Sequence, residues 1–243
     1  MWTEMDKAKK YSNAVVMFQR GLQVGFPIML GYIPIAITYG VLASQAGLSV
    51  FELTFMSAFV FAGASQFMAV NMIAAQATAV EIVVATFIIN LRHFVMSLSF
   101  MNEVRDHYLL RTRFALSLGL TDETFAVSAL NKEQGKYKNS AFFYAAIILS
   151  AYSAWVFGSY FGGIVGEVIP EKLSQSMGIA LYAMFIGLLV PSVKKELRVG
   201  LIAIIAMLIN GLFSQFLSSG WSIVIGTVVG AFSGIFLLKE KDK

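Results

Sequence analysis

Arg92 and His93 fall near the middle of Ile82 to Met101, an otherwise apolar run close to the roughly 20 residues a helix needs to cross a bilayer. An ionised side chain at that depth costs about 2.5–3.5 kcal/mol on insertion scales, so it is kept where it faces a protein-lined cavity or a partner. Arginine can clamp a carboxylate in bidentate fashion, and histidine can donate, accept or carry a proton near neutral pH. Thr86, Asn90, His93 and Ser97 recur at spacings of 4, 3 and 4, which puts them on one stripe of a helix. Arg92 is rotated about 100° from His93, so the two need not meet the same partner. A tether reading stands beside the site reading, with Arg92 anchored to carbonyls or an acid and His93 packed among neighbours.

Two further polar groups interrupt apolar runs. Gly63-Ala64-Ser65-Gln66-Phe67, followed by Asn71, lies halfway along a second segment. Ser65 and Gln66 offer donors and acceptors at depth, and Gly63 permits close backbone approach. Interhelical hydrogen bonding accounts for such residues equally well. Thr121-Asp122-Glu123-Thr124 reads locally as a threonine N-cap with two acids in the first helical turn, where the helix dipole favours negative charge. It also admits Asp122 or Glu123 at membrane depth, balancing Arg92 or holding a substrate ammonium. The acids Glu52, Glu81, Glu167 and Glu171 fall at segment ends, an interfacial position. Ser65 and His93 do not make an enzyme: there is no H-E-x-x-H, and Gly63-Ala64-Ser65-Gln66 lacks the closing glycine of a nucleophile elbow. The absence of cysteine excludes disulfides, thiolate metal sites and a cysteine nucleophile. No metal or cofactor is expected.

The elements that must position these residues are membrane helices. The chain is 58% hydrophobic and 13% charged, against about a quarter charged in a soluble domain, and its mean hydropathy is +0.73. No charge lies between Gly21 and Phe51, Leu53 and Val80, Asn139 and Gly166, Leu173 and Val193, or Val199 and Leu238. We expect an all-α polytopic membrane protein. It should have a cytoplasmic arm over 1–20, with nothing resembling a cleaved signal, one transmembrane domain over 21–238 and a basic tail over 239–243. Six runs are long enough to cross: about 22–46, 52–76, 82–101, 140–166, 174–193 and 199–238. The last divides into two helices around the polar stretch Ser214 to Ser222, making about seven segments. Phe114 to Leu130 is shorter, and re-entrant or interfacial. The net charge of +4 sits in loops and termini, where orientation signals lie, so nucleic acid is not an expected partner.

Basic residues mark cytoplasmic loops, and the loop with Arg105, Arg111 and Arg113 fits that rule only if one earlier segment enters and returns on the same side. The first segment is the expected break, because Pro27 and Pro34 stand beside Gly25, Gly31 and Gly40, with a kinked but continuous helix as the alternative. A broken helix must face protein or water, so it should line the pathway. Gly158, Gly162, Gly166 and Gly226, Gly230, Gly234 let helix backbones approach closely, within the chain or against another subunit.

These features leave a transporter, a passive channel and a non-transporting assembly subunit open. The run from Gly25-Phe26-Pro27 through Pro34 and Gly40, then Val60 to Phe67, Asn90-Leu91-Arg92-His93 and Thr121-Asp122-Glu123 resembles the AzlC family. The motifs cover about residues 21–130, and the C-terminal hundred residues match only in hydropathy. The resemblance implies the large subunit of a two-component exporter of leucine, isoleucine, valine and related amino acids such as methionine. It also implies a bacterial cytoplasmic membrane and a small AzlD-type membrane partner. The chain has no G-x-x-x-x-G-K-[ST] loop, which leaves coupling to the proton gradient as the expectation. For an aliphatic zwitterion, Arg92 or a half-helix N-terminus near Pro27 or Ser65 would take the carboxylate. Carbonyls, Gln66, Asn90 or Asp122 would take the ammonium.

Overall fold

The computed structural model describes residues 13–237 apart from 106, 167, 171, 174, 175, 177 and 178. Lys7, Lys9 and Lys10 of the arm, Glu167, Glu171 and the tail 239–243 lie outside the described residues. Among the described residues there is no strand, and several helices are long and apolar enough to span a bilayer. The protein is an all-α polytopic membrane protein.

Helix α1, Ala14–Gln45, begins where the Asn13 carboxamide accepts from the Val15 amide at 2.9 Å. It runs without a break through Pro27 and Pro34, so the expected interruption of the first segment does not occur. The reason lies in its neighbour α7, Ala141–Gly166. The two helices lie parallel, with Gly21 against Phe143, Gly40 against Ser159 and Gly166 against Ser44. A Cβ at Gly158 would stand 2.7 Å from that of Ala36. Backbone contact on both sides of the prolines holds each turn in place, and the Thr38 hydroxyl adds a bond to the Pro34 carbonyl at 2.9 Å.

The break falls in the second segment. Helix α2, Val50–Val60, starts with a capping box between Ser49 and Glu52 and stops at Phe61, whose backbone is left-handed with φ 42°. Helix α3, Gly63–Ala74, then turns back. Gln66 donates to Ser57 at 3.0 Å, although residues nine apart on one straight helix stand about 13.5 Å apart. Tyr39 of α1 touches both limbs, donating to the Leu53 carbonyl at 3.3 Å and packing its ring 5.7 Å from that of Phe67. The second segment is therefore a re-entrant hairpin.

Helix α4, Ala79–Glu103, opens on a second capping box, Thr78 with Glu81. Its start meets Ser218, and its far end places Phe100 5.4 Å from the Tyr144 ring. Helices α5, Leu110–Ser117, and α6, Asp122–Leu130, form a second hairpin from that far end. Ser97 and His93, ascending α4, donate in turn to Ser117 and Leu120, ascending α5. After α6 the chain returns to residues 132–136, which share a cavity with Glu103, His107 and Tyr144. Phe114 to Leu130 is re-entrant.

Helix α8, Ile179–Lys195, leads to the antiparallel pair α9, Leu197–Phe213, and α10, Ser219–Leu237. Gly226 and Gly230 of α10 rest on Ala206, so both glycine series pack within the chain. Gly220 at the start of α10 meets Met72 and Glu81, and Arg198 donates to the Leu237 carbonyl at its end. The foot of the α5–α6 hairpin, the 132–136 turn and the α8–α9 junction thus lie at one end of the molecule. Arg105, Arg111, Lys132, Lys136, Lys194, Lys195 and Arg198 share that end, and the conflict at the arginine loop disappears.

Candidate functional site

The two hairpins enter from opposite ends, and their tips meet halfway through the bundle. Tyr32 of α1, Phe61, Ala62, Gly63 and Ala64 of the upper tip, Arg92 and His93 of α4, Thr121, Asp122 and Glu123 of the lower tip, and Trp155 of α7 line one cavity. Its free space for water is about 20 Å³, room for one or two molecules.

The upper tip supplies backbone donors. No side chain caps α3, and Gly63 and Ala64, the first residues of the helix, line the cavity at a helix N-terminus, where the dipole favours an anion. The tip is held from behind by a buried network. Gln66 accepts from the Ala62 amide at 3.2 Å and from the Trp155 indole at 2.9 Å. It donates to Ser57, which donates to Ser159 at 2.8 Å. Ser65 donates to the Ala62 carbonyl at 2.9 Å. A Cβ on Gly63 would meet the Trp155 ring at 2.7 Å, so glycine lets the indole close over the turn.

The lower tip supplies charge. Thr121 caps α6 in a reciprocal box with Thr124, which sets both acids in the first turn facing α4 and α1. Arg92 Nη1 lies 2.7 Å from Asp122 Oδ2, with the side chains 32% and 27% exposed. Arg92 Nε has no hydrogen-bond partner. Glu123 pairs instead with the Tyr32 hydroxyl, which also meets Thr121 at 2.6 Å. The single hydroxyl proton goes to the carboxylate, leaving the phenolic oxygen to accept from Thr121. His93 Nδ1 lies 3.0 Å from the Leu120 carbonyl. A carbonyl only accepts, so Nδ1 carries the proton, and Nε2 is left as a buried acceptor without a partner.

Arg92, His93, Asp122 and Glu123 are thus gathered at the cavity. Ser65 and Gln66 stand directly behind it as braces. Asn90 is half-buried and lines a separate apolar groove with Phe87, Leu91 and Phe94, its side-chain oxygen buried without a partner, and it is not among the residues lining the cavity. Pro27 is away from the cavity lining, and Pro34 is two residues beyond Tyr32 on the same helix. Thr86 turns its hydroxyl to the carbonyl of Ile82 at 2.7 Å. Sequence reasoning missed Tyr32 and Trp155. Tyr32 stands in Gly31-Tyr32-Ile33-Pro34, a polar-tipped ring at the middle of a charge-free run, and that was the available signal.

The profile of the family described as AzlC protein matches residues 27–169, which contain every residue lining the cavity. An uncharacterized membrane protein of Archaeoglobus fulgidus is 35% identical over 73% of this chain and 77% of its own length. The inner membrane protein YgaZ of Escherichia coli is 29% identical over 74% of each. The branched-chain amino acid transport protein AzlC of Bacillus subtilis is 24% identical over 77% of this chain and 72% of its own. No solved structure matches the chain.

Proposed function

This chain belongs to the AzlC family of membrane proteins, and on that premise we propose that it exports branched-chain amino acids across a bacterial cytoplasmic membrane. Leucine, isoleucine and valine are the substrates, with methionine tolerated. The observation that carries the reading is one mid-bundle cavity lined by an uncapped helix N-terminus, a guanidinium and two carboxylates. Those are the groups that the carboxylate and ammonium of an amino acid need, offered by discontinuous helices. The printed name of the Bacillus subtilis relative supports the same substrate class.

Arg92, through its free Nε, and the Gly63 and Ala64 amides take the carboxylate. Phe61 and Trp155 supply the apolar wall for the side chain. A hydrophobic wall discriminates one methylene by only about 1–3 kcal/mol, so specificities overlap. The basic end faces the cytoplasm under the positive-inside rule. The space between the tips holds only a water or two, so the tips must part for leucine to pass. That favours a transporter over a continuously open channel.

The chain acts as the large subunit, with a small AzlD-type membrane partner. The test is efflux of valine, leucine, isoleucine and methionine from dipeptide-loaded cells, with this chain alone and with the partner. Export that needs both chains and fails with Arg92→Ala, the variant still inserted, is the expected result. No export of any of the four, with both chains in the membrane, refutes the substrate assignment.

A further inference from the structure

The two hairpin tips are not held alike. The upper hairpin is tied to α7 through Gln66, Ser57, Ser159, Trp155 and Tyr152, the last donating to the Ala58 carbonyl at 2.9 Å, and to α1 through Tyr39, which donates to the Leu53 carbonyl and packs on Phe67. The lower tip is tied to α4, by His93 to Leu120, by Ser97 to Ser117 at 3.0 Å and by Arg92 to Asp122. Across to α1, the tip's polar contacts are those of the Tyr32 hydroxyl with Glu123 and Thr121. Tyr32 is 6% exposed and packs edge-on to Trp155, with ring centroids 5.4 Å apart, so its hydroxyl is fixed on the side of the upper tip.

Asp122 already has a cation in Arg92. Glu123 has a neutral donor, which stabilises a carboxylate less than a cation does. An ammonium arriving in the cavity brings three donors and a positive charge. It outcompetes the phenol for Glu123, and His93, whose Nε2 is a buried acceptor without a partner, lines the same cavity. We propose that Glu123 is the ammonium-binding carboxylate of this site and that Tyr32 is a latch occupying it when substrate is absent. Substrate binding then breaks one of the two bonds of the Tyr32 hydroxyl that join the lower hairpin to α1 and leaves only that with Thr121, which couples occupancy to loosening of that hairpin. The α4–α5–α6 group moves, and α1, α2, α3 and α7 stay as its frame. The ammonium part of this inference rests on the amino acid export reading, whereas the latch part does not.

The absence of cysteine gives a clean background for the test. Ala62→Cys places a thiol in the cavity wall at a position 3% exposed, beside a helix N-terminus that favours the thiolate. Its alkylation by N-ethylmaleimide is measured on the purified full chain in nanodiscs. Without any amino acid, adding Tyr32→Phe should speed labelling about 10- to 100-fold, the factor that corresponds to losing a hydrogen bond to a charged group. Labelling unchanged by Tyr32→Phe overturns the latch, whatever the substrate.

With Tyr32 intact, leucine should speed labelling and 4-methylpentanoate, its analogue without the ammonium, should not. Equal acceleration by both overturns the ammonium assignment. Acceleration by Tyr32→Phe but by none of leucine, isoleucine, valine and methionine supports the latch and overturns the substrate reading alone. Glu123→Gln supplies the second variant should Tyr32→Phe fail to fold: leucine should no longer speed labelling, and a retained response removes Glu123 from the site.

Discussion

Removing the charges of Arg92 and Asp122 one at a time and then together separates a tether from a substrate ligand. Their contact is 2.7 Å between side chains about one-third exposed. The pair therefore lies between exposed bridges, about 0.2–1 kcal/mol, and buried ones, where stranding one partner costs about 3–5 kcal/mol. Arg92→Leu leaves Asp122 beside Glu123 with no cation in the cavity lining, and we expect a loss of about 2 kcal/mol. Asp122→Asn strands the guanidinium at a similar cost. The double variant has no stranded charge and should regain about 1–2 kcal/mol relative to the sum of the singles. Thermal unfolding of the detergent-purified chain reads that coupling, and leucine efflux reads function. If Arg92 holds the substrate carboxylate, the double variant regains stability while export stays about 10- to 100-fold down, the loss of a charge-assisted bond. Export that recovers in step with stability would show Arg92 to be a tether, and the site would have to be rebuilt around the Gly63 and Ala64 amides.

Three other perturbations test the frame around the site. Gln66→Leu strands the Ala62 amide, the Trp155 indole and one bond of Ser57 at about 1–3 kcal/mol each; a lowered melting temperature is expected, and an unchanged one denies the network its role. Gly162→Val drives a side chain into the Ile37 backbone, and overpacking of about 1–3 kcal/mol or more should lower the folded fraction in size-exclusion chromatography. Single cysteines at Gly47 and Gln76 should react with a membrane-impermeant maleimide from one side and those at Arg111 and Lys195 from the other. Opposite sidedness of Gly47 and Gln76 would mean that the second segment crosses. His93→Gln tests proton coupling separately, since an unchanged pH dependence of export removes histidine as the titrating group.

Much of this was legible where charge and apolar runs alternate. The six long runs, the turn within 199–238 and the N-cap at Thr121 follow from segment length and local capping chemistry. The position of the break does not. Proline is the strongest local signal against a helix, yet Pro27 and Pro34 sit in an unbroken α1 because glycine-mediated contact with α7 holds both turns. The actual break, at Phe61 and Ala62, has neither proline nor a polar cluster at the turn itself. It is stabilised by Gln66 and Ser57, on either side of the turn, together with Trp155, which is 89 positions from Gln66 and meets it only after folding. For the same reason Tyr32 was not visible as a site residue: its importance comes from Glu123, 91 positions along the chain. Gln66 and Ser65 read in the sequence as polar groups at depth, and their depth has a different cause, since they satisfy the backbone of the turn.

The basic residues carry the last step. With the first segment broken, the arginine loop and the lysine loops would share a side, but a continuous α1 removes that solution. The re-entrant α2–α3 hairpin restores it, because its two ends lie on one side and leave α4 to cross next. The α5–α6 hairpin repeats the device from the other end. A helix followed by a re-entrant hairpin, α1 with α2–α3, is thus succeeded by a second such unit, α4 with α5–α6, entering upside down. Opposed units of this kind put equivalent tips on either side of one cavity, the arrangement of transporters built from inverted repeats. A single pore through the middle would need no such opposition, and its walls would not meet over a space that holds a water or two.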